Sequence, residues 1–368
     1  MRILTLSTNN YRNLKNNFFD FDLKMNYIYG ENAQGKTNLL ESIWMFTGAR
    51  TFRGTKDADL VEFDEQSARL DGKFSLEQRQ QEMSVFFSGG KRKIFLNGIP
   101  KKYPTEAIGK FRAVLFTPIH LSLIKDGPDN RRKFIDGAMC QISSVYARLA
   151  ASYSRTLRHR NSLLKDLQSH KATHDMLEVW DFKLAQLGAK VIGQRLKYVA
   201  SLQKKAARVY SEISRGREEL SVRYKSSCCL KDLQEISEQK IRERFLGSLG
   251  KARETDVKRG YTSVGPHKDD LEIFLKGKSL KEFGSQGQQR SAVLAFKISE
   301  AKILEELVGE PPVVLLDDVM SELDDYRKNY VVSKLDGWQI FITGCEKDLI
   351  SKLKSAKVFR VRDGKAES

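Results

Sequence analysis

Cysteine is scarce in this chain of 368 residues: Cys140, Cys228, Cys229 and Cys345 are its four, and they are scattered. Cys228 and Cys229 are adjacent and match no zinc-ligand spacing, so the expectation is free thiols in a reducing compartment, the cytoplasm. No run of ~18 apolar residues appears, which excludes a membrane-spanning helix. The opening stretch, Met1-Arg2-Ile3-Leu4-Thr5-Leu6, alternates like a strand and lacks the apolar core of a signal peptide. Proline is missing from Arg131 to Gly265, which permits long helices there. There is no internal repeat and no low-complexity tract, and heptads are not sustained well enough for a long coiled coil. Acidic residues are also in deficit, 47 against 64 Lys and Arg, for a formal net charge of +17.

That charge is unevenly placed. Between Arg131 and Gly260 stand 28 Lys and Arg against 14 Asp and Glu, a net of +14, leaving +3 for the rest. A polyanionic partner follows, nucleic acid first and a membrane surface second; the rival reading is solvated helix faces that keep the protein soluble. With 40% hydrophobic and 30% charged residues the balance is that of a globular protein. The length calls for two lobes.

Gly30-Glu31-Asn32-Ala33-Gln34-Gly35-Lys36-Thr37 fits G-x-x-x-x-G-K-[ST], the loop that wraps a nucleotide's phosphates. Its flanks are right for that role. Met25–Tyr29 reads as a strand, and Asn38–Met45 as a helix with an apolar stripe. The glycines let backbone N–H groups turn toward phosphate, and the helix N-terminus adds partial positive charge. In this reading residues 30–37 hold ATP, Lys36 reaches the β- and γ-phosphates, and the Thr37 hydroxyl sits on Mg²⁺. Gln34 either touches the nucleotide or only shapes the loop.

Residues up to about Phe116 read as β-rich, with hairpin signals at Ser88-Gly89-Gly90-Lys91 and Asn97-Gly98. Strand candidates are Leu4–Leu6, Phe18–Leu23, Met83–Phe87 and Lys93–Leu96. From about Arg131 the apolar residues recur at helical spacing, among them Leu149, Tyr153, Leu157, Val191 and Val199. Leu220–Tyr224 reads as a strand and residues 233–250 as a helix. After Gly260 strand character returns at Leu271–Leu275. A helical run then covers Ser291–Leu307, and Pro311-Pro312 ends it. Val313–Leu316 is wholly apolar, like the centre of a parallel sheet, and Trp338–Thr343 reads as another strand. The predicted organisation is a discontinuous α/β lobe, 1–130 and 261–368, with a basic, mostly helical lobe, 131–260, inserted in it.

Asp317-Asp318 follows the apolar strand directly, at the carboxyl edge where α/β sheets bind ligands. The pair is either a strand-end acidic turn or the carboxylates of a phosphoryl-transfer site. The phosphate loop elsewhere favours the second, with Asp317 on Mg²⁺ and Asp318 orienting or deprotonating the attacking water. Ser285-Gln286-Gly287-Gln288-Gln289-Arg290 opens a helix and is either an ordinary cap or a second anion site.

Phosphate loop, S-Q-G-Q-Q-R and V-V-L-L-D-D followed by Ser321-Glu322-Leu323-Asp324 together resemble the ABC ATPases of the SMC-like DNA repair group. Tyr11-Arg12-Asn13-Leu14, Gly127-Pro128 with Arg131–Asp136, Gly265–Asp270 and Phe341-Ile342-Thr343 extend the resemblance over essentially the whole chain. It implies an ABC-type head that dimerises on ATP, with Ser285, Gly287 and Gln288 facing the γ-phosphate held by the other subunit's Lys36. It implies binding of double-stranded DNA near single-strand junctions, and cooperation with RecR and RecO in loading RecA at gaps. Asp318 stands where many ABC proteins carry Glu, and Thr343 or its neighbours where many carry a switch His; the shorter carboxylate argues for slow, regulatory hydrolysis. Two rivals share the head. A transporter ATPase usually has a much shorter stretch between phosphate loop and signature, and a chromosome-organising ATPase needs a longer, more regular arm than 131–260. His267 faces phosphate or DNA, or is a loop histidine satisfied by backbone. Arg131-Arg132-Lys133 binds DNA or, as the following Phe134-Ile135 suggests, caps and solvates a helix start.

Overall fold

The computed structural model describes residues 1–76, 79–169, 175–228, 237–345 and 356–367. They form two compact units, Met1–His120 with Leu294–Ser368, and Leu121–Val293.

The first unit opens with β1 (Arg2–Asn9), β2 (Asn17–Asp20), β3 (Met25–Tyr29) and α1 (Lys36–Met45). Then come β4 (Ser67–Leu76), β5 (Arg79–Ser88), β6 (Lys91–Leu96), β7 (Ile99–Lys101) and β8 (Ala113–Phe116). An antiparallel sheet runs β2-β1-β4-β5-β6-β7. Its tight turns use positive-φ residues, Gly89-Gly90 between β5 and β6 and Asn97-Gly98 between β6 and β7, as twisted hairpins require. In β4 and β5 the apolar residues Leu70, Phe74, Met83 and Val85 alternate inward.

The second unit holds α2 (Ser122–Lys125), α3 (Pro128–Ile142), α4 (Ser144–Gln168), α5 (Asp175–Ile213), β9 (Leu220–Lys225) and α6 (Glu238–Arg259). It continues with β10 (Asp270–Leu275), β11 (Lys278–Ser279), α7 (Leu280–Phe283) and the start of α8 (Gln286–Val308). Arg160 of α4 is fully buried; it donates to Asp181 of α5 (2.6 Å), Asp256 of α6 (2.8 Å) and Thr262 (2.8 Å). Removing one partner from such a cluster strands a buried charge, so the pairing fixes how the three helices meet. The Arg195 guanidinium forks onto Asp136, at 2.9 and 2.8 Å, and ties α5 to α3.

This unit is wider than the 131–260 expected. Residues 261–293 belong to it because β10 pairs antiparallel with β9, Asp270 to Lys225 through Leu275 to Leu220, a partner far upstream in sequence. Residues 121–130 join it through α2 and the start of α3, where Arg131 donates to the Leu123 and Asp126 carbonyls. The helix expected over 233–250 runs to Arg259; residues 231–236 lie outside the described residues.

The chain ends in the first unit with β12 (Val313–Leu316), α9 (Asp325–Lys334), β13 (Ile340–Gly344), β14 (Lys357–Arg362) and β15 (Lys365–Glu367). The second sheet runs β15-β14-β3-β13-β12-β8, all parallel except the β14–β15 hairpin. Every residue of β12 is buried, as its apolar run predicts. One continuous core joins Leu39, Leu40 and Ile43 of α1 to Phe74 and Val85 of the antiparallel sheet and to Ile28, Leu315 and Phe341 of the parallel one.

Candidate nucleotide-binding site

Parallel strands deliver their following loops to one edge of a sheet, and the site is built there. β3 leads into residues 30–35, and α1 begins at Lys36. Two glycines are needed by geometry. A Cβ on Gly30 would stand 2.3 Å from the Val361 carbonyl oxygen, and Gly35 has φ +118°. The Lys36 ammonium curls over the loop, donating to the carbonyls of Gly30 (2.7 Å) and Glu31 (2.8 Å), with Cys345 Sγ 3.3 Å away. The Cys345 thiol donates to Asn32 Oδ1 (3.2 Å). Gln34 braces the loop from below: its Oε1 accepts from Asp363 N (2.5 Å), and its carbonyl from Gly364 N (3.2 Å). Ala33 has φ +65°, and its carbonyl accepts from Asn13 (3.4 Å). Asn13 in turn accepts from Asn38 of α1 (2.7 Å).

Thr37 and Asp317, 280 residues apart, meet here: Thr37 Oγ1 donates to Asp317 Oδ1 at 2.9 Å. Thr343 Oγ1 donates to the same oxygen at 2.9 Å and accepts from Asp318 N at 2.9 Å. One hydroxyl therefore holds both residues of the carboxylate pair. The strand order is the cause, because β13, which carries Thr343, lies between β3 and β12. Asp318 sits at φ +57°, a conformation that costs a non-glycine residue energy and persists only where neighbours enforce it. Burial pushes the Asp317 carboxyl above the usual carboxylate range, against the hydrogen bonds from Thr343 and Thr37 and the charge of Arg53, which pull it down. A buried carboxylate beside a hydroxyl, both hard oxygen donors, fits Mg²⁺, which takes few protein ligands and completes its octahedron with phosphate and water. Among the described residues no cluster of three or more His, Cys, Asp or Glu could hold a metal by protein ligands alone.

Ser285, Gly287 and Gln288 lie in the second unit. Ser285 and Gln288 form a reciprocal cap at the start of α8: Ser285 N donates to Gln288 Oε1 (2.8 Å) and Gln288 N to Ser285 Oγ (3.3 Å). Gln288 Nε2 reaches Glu218 (2.6 Å), and Gln289 donates to the Leu280 and Gly284 carbonyls. Ser285 itself is exposed.

His267 is engaged within its own unit. Its Nε2 lies 3.0 Å from the Thr262 carbonyl and its Nδ1 2.8 Å from the Tyr153 hydroxyl, and burial pushes its pKa down to about 4. That is the backbone-satisfied alternative. Arg131 is likewise structural, forking onto Asp270 at 2.7 and 3.0 Å, and Arg132 donates to the Asp269 carbonyl; Lys133 alone of the cluster is exposed. The resemblance put Thr343 or its neighbours at the switch position, but sequence reasoning missed the Thr343 hydrogen bonds to Asp317 and Asp318 and the approach of Cys345 to Lys36. No local spacing signals them, since strand order alone brings β13 beside β3.

A family model described as the RecF/RecN/SMC N terminal domain matches residues 2–367. The DNA replication and repair protein RecF of Caldanaerobacter subterraneus subsp. tengcongensis is 40% identical over 366 residues, covering 99% of each chain. That of Bacillus subtilis (strain 168) is 36% identical over 368 residues, again 99% of each. Among solved structures, the recombination mediator protein RecF-ATP of the RecFOR pathway superposes with TM-score 0.92 at 38% identity, covering 100% of this chain and 97% of that one. An Smc head bound to the C-winged helix domain of ScpA, 15% identical with TM-score 0.57 over 100% of this chain and 96% of its own, shares the fold alone. The fold is the α/β ABC-type ATPase head expected from the sequence. No helix among the described residues is long and apolar enough to cross a membrane.

Proposed function

The chain belongs to the RecF family of DNA replication and repair proteins, and from that premise we propose that it is an ATP-gated, DNA-binding protein of recombinational repair with slow hydrolysis as its reset. The observation that carries this reading is the meeting of Lys36, Thr37, Asp317 and Asp318 at one sheet edge, from motifs 280 residues apart. Residues 30–37 bind the ATP phosphates through backbone N–H groups, and Lys36 exchanges its two carbonyl partners for phosphate oxygens. Thr37 and Asp317 would hold Mg²⁺, and the ion would supply neutralisation of phosphate charge. Asp318 orients the attacking water and accepts its proton. The excess of Lys and Arg in the second unit binds duplex DNA through phosphates. Ser285, Gly287 and Gln288 close over the partner's γ-phosphate, so ATP joins two copies. Loading of RecA with RecR and RecO is the process this dimer serves, an extension from the recombination-mediator and RecFOR naming of the RecF structures.

Asp318→Asn tests the role of the carboxylate pair. ATP and Mg²⁺ should stay bound while turnover falls ~10²-fold or more, as general-base loss does. Steady-state ATPase close to wild type contradicts the assignment. Thr343→Val removes the hydroxyl shared by Asp317 and Asp318 at constant volume. Two hydrogen bonds go, and the one to the Asp317 carboxylate bears on the metal: the Mg²⁺ concentration for half-maximal ATPase should rise about tenfold, matching ~1–2 kcal/mol for that bond. Thr343→Ser should restore it. An unchanged Mg²⁺ requirement removes Thr343 from the site.

A further inference from the structure

α5 is continuous from Asp175 to Ile213. One side is buried, through Leu184, Gly188, Ile192, Arg195, Val199 and Leu202. On the opposite side Lys183, Lys190, Lys197 and Lys204 recur every seventh residue, and all are exposed. Seven residues leave a drift of only about 20° per step, so the four positions form a nearly straight line. At 1.5 Å rise they stand ~10.5 Å apart and span ~31 Å. The same face between them carries the uncharged Gln186, Gln194 and Ser201, and no Asp or Glu occurs from Phe182 to Ser211. Among the described residues Lys190, Lys197 and Lys204 make no ion pair, and Lys183 only overhangs the Trp180 ring at 5.7 Å. A face that serves solubility interleaves both signs and gains from i,i+4 pairs. This one aligns like charges at about a Debye length, which does nothing for the folded chain by itself.

We propose that this lysine stripe is the track on which duplex DNA lies, the DNA axis running along α5. The proposal rests on the DNA-binding reading above and places that contact on one helix face. A span of ~31 Å matches about one turn of B-form duplex. Lysines on flexible stems neutralise phosphates without reading bases, and the uncharged Gln186, Gln194 and Ser201 between them add no negative charge to repel the phosphates. A rigid, regularly spaced row of single charges suits a rigid polyanion better than a flexible acidic peptide.

The test measures duplex DNA affinity against salt for the full chain with ATP and Mg²⁺. Lys190→Gln/Lys197→Gln/Lys204→Gln should lower the slope of log affinity against log salt by about 2–3, near 0.9 per lost phosphate contact, and weaken binding at least ~30-fold near 0.1 M salt. The exposed control cations on α6, replaced as Lys240→Gln/Lys251→Gln/Lys258→Gln, should change the slope by less than about 1. Glutamine keeps helix propensity, and circular dichroism checks the fold. Should the triple variant misfold, Lys190→Gln/Lys197→Gln should show a proportionate loss. A wild-type slope in the stripe variants overturns the proposal, as does unchanged DNA affinity with weakened binding of polyglutamate, which would assign the stripe to an acidic protein. Failure of the wild-type chain to bind duplex DNA even at low salt would instead sink the DNA-binding reading.

Discussion

Lys36→Met lowers ATP affinity by ~10- to 150-fold, and ATP-dependent DNA binding at physiological salt is lost with it. The size follows from removing a charge-assisted contact worth ~1.5–3 kcal/mol. The ammonium is buried at the mouth of the loop and already paired to the Gly30 and Glu31 carbonyls, so it is held where the proposed site would take a phosphate. Methionine keeps the packing volume and removes the charge, so the fold survives and the loss is electrostatic. Equilibrium titration with a fluorescent ATP analogue measures it. Affinity within about threefold of wild type contradicts the phosphate-loop assignment.

Ser285→Arg leaves ATP binding to the monomer intact and abolishes association on ATP. Ser285 is exposed at the start of α8, where its hydroxyl accepts from Gln288 N. A bulky cation there has no route to the same chain's Lys36 if the site is shared between two copies, but it fills the place of the partner's γ-phosphate. Mixing sharpens the test. A dimer of one Lys36→Met chain and one Ser285→Arg chain holds a single complete site, made from Lys36 of the second and Ser285 of the first. Neither variant alone can build one. ATPase that appears on mixing supports the shared site. Loss of nucleotide affinity in monomeric Ser285→Arg places Ser285 in its own chain's site and rejects the shared one.

The two halves of the site were unequally legible in the sequence. Residues 30–37 are contiguous, and their shape depends on local backbone, so the motif and its flanks were enough to predict the strand, loop and helix start that the structure has. Asp317-Asp318 could be placed because a short, wholly apolar strand suits a sheet covered on both faces, and the residues after such a strand emerge at its carboxyl edge. Thr343 could not be assigned its contacts. Its link to Asp317 and Asp318 exists because β13 is inserted between β3 and β12, and sheet order is not written in the periodicity of any one strand. The same limit explains the boundary of the second unit. Leu271–Leu275 alternates like any strand, and only its pairing with β9 takes it away from the sheets of the first unit. Helix length was readable from the absence of proline, whereas buried ion clusters such as Arg160 with Asp181 and Asp256 looked in sequence like three more surface charges.

On the proposed mechanism, ATP joins two copies of the chain into the form that holds DNA. Sedimentation velocity of the wild-type protein, with and without ATP–Mg²⁺ and a short duplex, tests it most directly. The prediction is that ATP shifts the protein from the mass of one chain, 42.1 kDa, to that of two, and that the duplex travels with the heavier species at low salt and leaves it as salt rises. A sedimentation coefficient that ATP does not change, with duplex bound equally in its absence, would contradict it.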